Sequence, residues 1–122
     1  MKKPEPVRRG NLRLGMSNDR GLLKLEVTAG GKPFTIQMTS ADADDFIHNL
    51  AEVRGGLLDE VPVELDPGAI VERVKDPAWR LPKADEDRVA VDLRHPGFGW
   101  IRFEFPRAEG AEIGRHLTGQ GR

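Results

Sequence analysis

The sequence predicts an α+β fold made by tandem duplication of a β-β-β-α unit, an antiparallel sheet with two helices packed on one face. Three observations predict it. Apolar and polar residues alternate through three successive runs, the pattern of half-buried antiparallel strands. The period then lengthens to that of an amphipathic helix. The whole succession recurs 66 to 67 residues later, too long a period for a solenoid unit and suited to two halves of one domain.

Residues 1–10 combine Pro4 and Pro6 with Lys2, Lys3, Arg8 and Arg9 and read as a mobile basic arm. The single domain expected over 11–122 then begins. Leu12, Leu14 and Met16 share one parity; Leu23, Leu25 and Val27 alternate with Lys24 and Glu26; Phe34, Ile36 and Met38 alternate with Thr35 and Gln37. "SNDRG" and "AGGKP" separate these runs with residues that start turns or accept positive φ. A helix follows, because Phe46, Ile47, Leu50, Val53 and Leu57 recur at helical spacing. Thr39 or Ser40 can cap it, Asp42, Asp44 and Asp45 suit its positive end, and Gly55 and Gly56 stop it.

The first repeat thus covers 11–56 and the second 78–119, joined by a proline-punctuated connector at 57–77. A shift of 67 lays Leu12, Arg13 and Leu14 on Trp79, Arg80 and Leu81, and Phe34, Ile36 and Met38 on Ile101, Phe103 and Phe105. The middle strand matches at 66, with Leu23, Leu25 and Val27 on Val89, Val91 and Leu93. The later copy therefore carries one extra residue, and it falls inside HPGFGW, residues 95–100. By parity the core takes Leu25, Ile36, Val91 and Phe103. Ala69–Val74 in the connector fits a short edge strand or a helical turn. Gly110 and Gly114 weaken the second helix unless they permit close packing.

In element order the chain resembles known duplicated three-strand-plus-helix folds. The strings DPAWRL (76–81) and RHPGFGWIRFEFP (94–106) also resemble small uncharacterised bacterial proteins, a resemblance that covers the second copy and implies no activity.

Composition narrows the function. The 122 residues include no cysteine, which excludes disulfides, thiolate metal sites and cysteine nucleophiles and points to a cytoplasmic protein. The basic start lacks an apolar run behind it, so neither a signal peptide nor a membrane partner is expected. Nineteen basic and twenty acidic residues give no global field toward nucleic acid. Of three histidines, His48 and His116 stand four residues from Asp44 and Glu112, too few ligands for a metal site. No nucleophile-and-base pair, phosphate loop or dinucleotide fingerprint is present, so no catalytic residue, metal or cofactor is expected.

What remains is surface chemistry. Arg13, Lys24, Arg80, Arg94 and Arg102 share the polar parity, but Glu26, Asp92 and Glu104 interleave with them, a pattern that favours cross-strand ion pairs over a phosphate track. Trp100 is in phase with Arg102 and Glu104, and Phe98 sits at a turn tip. Trp100 can pack on an arginine by cation–π contact or, with Phe98, anchor an interface. The candidate binding residues are His95, Phe98, Trp100, Arg94, Arg102 and Arg80. The expected function is a non-enzymatic binding or assembly module for a protein partner or a second copy of the chain. Single-stranded nucleic-acid binding by the arginine-bearing open sheet face is the alternative.

Overall fold

The computed structural model describes residues 11–119, so the basic arm expected at 1–10 lies outside the described residues. Contacts divide the chain into two compact units, Met1–Val63 and Glu64–Arg122, and the division falls inside the connector.

In the first unit, β1 (Leu12–Met16), β2 (Leu23–Ala29) and β3 (Lys32–Met38) form an antiparallel meander in that order, followed by α1 (Ser40–Gly55). The β1–β2 turn is held by side chains. Ser17 Oγ accepts from Leu22 N at 3.0 Å and donates to Asp19 Oδ1 at 2.7 Å, and Asp19 also accepts from Gly21 N at 2.9 Å. Gly30 and Gly31 both adopt positive φ (60° and 81°) between the paired Ala29 and Lys32. That is the two-residue hairpin whose twist matches the strands it joins. Thr39 caps α1 by accepting from Asp42 N at 3.1 Å, and Gly56 closes it. The helix touches its sheet through β3.

The second unit repeats the order. β4 (Trp79–Arg80), β5 (Arg88–His95) and β6 (Gly99–Pro106) form the second antiparallel meander, and α2 (Arg107–Gly119) lies against β5 and β6. The architecture is α+β with the β-β-β-α succession twice. The six strands among the described residues form two three-stranded sheets, one per unit, where parity alone suggested one sheet under both helices.

The two registers coincide. Leu12 pairs with Val27 as Trp79 pairs with Leu93, Arg13 with Glu26 as Arg80 with Asp92, and Leu25 with Ile36 as Val91 with Phe103. Ser40 opens α1 as Arg107 opens α2, again 67 residues apart. The extra residue lies in the hairpin loop: Pro96, Gly97 and Phe98 separate the paired His95 and Gly99, against two glycines in the first unit. β4 is short because Pro82 stands where β1 has Gly15, and proline cannot donate to a ladder. The connector's Ala69–Val74 forms neither strand nor helix.

Burial departs from the parity expectation. Among the described residues only Ala90 and Asp92, on the central strand β5, are buried. Leu25 and Val91 are half-buried, but Phe103, expected in the core, is 47% exposed, and Phe34, Ile36 and Trp79 are exposed as well. Each sheet has an apolar face that its own helix covers only in part.

Gly110 marks a close approach of α2 to its sheet, since a Cβ there would overlap Val89 Cγ2. Valine is stiff about χ1 and yields poorly. Gly114 has nothing within 4 Å of that position. Gly110→Ala should therefore lower stability by about 1–2 kcal/mol through overpacking, while Gly114→Ala should raise it by up to about 1 kcal/mol through helix propensity. Urea midpoints moving in opposite directions check this; equal shifts would remove the close-packing role of Gly110.

Candidate functional site

Antiparallel pairing puts directly opposed residues on the same face of a sheet. Arg80 opposes Asp92, which opposes Arg102; Arg94 opposes Trp100; Ala90 opposes Glu104. One face of the second sheet thus gathers four of the six sequence candidates, Arg80, Arg94, Trp100 and Arg102.

Its centre is Asp92, 4% exposed and held from both sides. Arg80 Nε donates to Oδ2 at 2.8 Å; Arg102 Nε donates to Oδ1 at 2.7 Å and its Nη2 to Oδ2 at 3.0 Å. The hydrogen bonds from Arg102, then those from Arg80, hold the Asp92 carboxyl down at about 2 against the opposing effect of desolvation. A carboxylate so fixed stays charged near neutral pH and has no proton to exchange, so it serves as an anchor. The arginines keep outward donors: Arg80 Nη1 and Nη2 and Arg102 Nη1 are not used on Asp92. Their side chains remain 65% and 46% exposed.

Beside this clamp lies a shallow depression of about 470 Å³ lined by Arg80, Asp92, Trp100, Ile101 and Arg102. Trp100, 54% exposed, supplies its aromatic wall.

The other two candidates are used by the turn itself. His95 Nδ1 accepts from the backbone N–H of Gly97 and of Phe98, both at 3.0 Å, which places the ring proton of the neutral imidazole on Nε2. The Phe98 ring meets the imidazole edge-on, with centroids 6.2 Å apart and planes at 87°. His95 also alternates onto the face opposite Arg94. HPGFGW is therefore a self-capped hairpin, and it delivers Trp100 to the start of β6.

Sequence reasoning passed over Arg107. Its Nε donates to Glu86 O at 2.7 Å and its Nη2 to Arg88 O at 3.2 Å, while its backbone N donates to Asp87 O at 3.0 Å. The first residue of α2 thus fastens the β4–β5 loop. No periodicity announces this role, because the acceptors are backbone carbonyls.

On α2, Glu112 faces both Arg115 and His116, and His116 Nδ1 lies 3.0 Å from the Glu112 carbonyl oxygen. Among the described residues no three histidine, aspartate or glutamate side chains converge as metal ligands. No described helix is long and apolar enough to cross a membrane. No protein-family model, curated protein or solved structure matches the chain.

The clamp carries a pH signature. The folded value of Asp92 is depressed from 3.8 to about 2, so its contribution to stability is fully present above pH 4 and is lost as pH falls from about 4 to about 2. Asp92→Asn should be less stable than wild type at pH 7, and the gap should close across that window in pH-resolved denaturant melts. The more open Arg13–Glu26 pair, at 3.9 Å, should show no comparable gap when Glu26 becomes Gln.

Proposed function

We propose that the protein is a small cytoplasmic, non-enzymatic module that works by association, with a second copy of itself as the favoured partner and another protein as the variant form. One observation carries this reading: the apolar faces of both sheets remain exposed at matching positions. In the first unit these are Leu12, Leu14 and Ile36; in the second, Trp79, Leu81 and Phe103. The register that opposes Leu25 to Ile36 also opposes Val91 to Phe103, so the two units present chemically similar apolar rows.

Contiguous apolar surface of this kind is costly to leave in water and marks association surfaces. A two-fold self-association suits it, because such an interface uses the same patch on both subunits. Enzymatic chemistry finds less support, since the most buried ionisable group among the described residues, Asp92, is committed to two arginines.

Sedimentation equilibrium over a concentration series tests the reading. The expected result is a mass that rises from 13.5 kDa with concentration. Phe103→Ser should weaken that association by about 2 kcal/mol or more, as loss of a central aromatic anchor does, whereas Glu104→Ser should leave it unchanged. A 13.5 kDa species at every concentration would count against self-association.

A further inference from the structure

The duplication supplies its own comparison for the arginine-bearing face. At positions equivalent to Arg80 and Asp92 the first unit has Arg13 and Glu26, so the ion pair is common to both copies. At those equivalent to Arg94, Trp100 and Arg102 it has Thr28, Pro33 and Thr35. The meander forms with either set, so the fold does not require two added cations and an indole. All three differences lie on the same sheet face: Trp100 and Arg102 line the depression, and Arg94 stands opposite Trp100 in the register, beside it.

We propose that this depression is a nucleotide site, in which a base stacks on Trp100 and its phosphate is received by Arg94 and the outward guanidinium edges of Arg80 and Arg102. The chemistry is matched on both counts. An indole that is 54% exposed offers a flat surface to any base. The cation opposite it, Arg94, is exposed and is not among the arginines that hold Asp92. Asp92 repels an incoming phosphate little, because two guanidinium groups are paired with its single charge and only 4% of it is exposed. Glu104 is the remaining acid on this face, opposite Ala90 and two residues beyond Arg102. The charge balance therefore suits one phosphate rather than a long track. The same site accepts a free nucleotide or one residue of a single strand.

Full-length protein is titrated into a fluorescein-labelled, mixed-sequence single-stranded DNA 12-mer, followed by anisotropy, with AMP as competitor and, separately, as direct titrant by calorimetry. Trp100→Ala and Arg94→Gln are the informative variants, since neither residue holds Asp92; their thermal melts report whether the fold is kept. Saturable binding is expected, weakened about tenfold or more by Trp100→Ala. Arg94→Gln should weaken it and reduce the salt dependence by about one ion. Binding of both probes, with AMP displacing the 12-mer, places a free nucleotide in the site; binding of the 12-mer alone assigns it to a strand. Failure of both probes to bind, or binding unchanged in a folded Trp100→Ala variant, overturns the proposal.

Discussion

Two guanidinium groups meeting on one carboxylate tie the three strands of the second sheet together. Arg80 comes from β4, Asp92 from β5 and Arg102 from β6, and all three contacts require the observed register. A slip of one residue would carry Asp92 to the apolar face and leave both arginines without it. The clamp therefore does for the polar side of the sheet what apolar packing does for the other. Both sides of β5 are covered at its centre, by Ala90 and Asp92 on one and by the approach of α2 to Val89 on the other.

The first sheet shows the same frame with a looser fastening. Arg13 and Glu26 oppose each other as Arg80 and Asp92 do, but at 3.9 Å and with both side chains open to solvent, and Thr35 stands where the second arginine would complete the clamp. Exposed pairs of this kind contribute little, because solvent screens them and two long side chains must be ordered. The first unit leans instead on turn chemistry, with Ser17 and Asp19 fixing one hairpin and Gly30–Gly31 the other. One topology is thus stabilised by different means in its two copies.

Most of the fold was legible in the chain because its signals are local. Alternation located the strands, the change of period located α1, and the displacement of 67, with 66 at the middle strand, anticipated which positions of the two copies correspond and which loop holds the extra residue, while strand order and register came only with the structure. The interleaved Asp92 also announced cross-strand ion pairing. Parity could not reveal how far each apolar face is covered, so Phe103 reads as core and stands half exposed. Nor could it show that His95 turns back to cap its own loop or that Arg107 reaches the carbonyls of the β4–β5 loop. These contacts depend on where a turn directs a side chain, which residue type alone does not encode.

The meander order has a further consequence, for the time course of folding. Within each sheet the described strands pair with their neighbours in sequence, and α2 packs on the two strands that precede it. Such contacts close short loops, so little chain entropy is lost before they form, and topologies of low contact order fold quickly. The first meander has all its pairing partners once Met38 has been synthesised, well before the second begins at Trp79. During synthesis the earlier repeat can settle its register with no competing copy of the same pattern in reach. That matters for a chain whose two halves are alike enough to exchange strands, the characteristic misfolding route of tandem repeats.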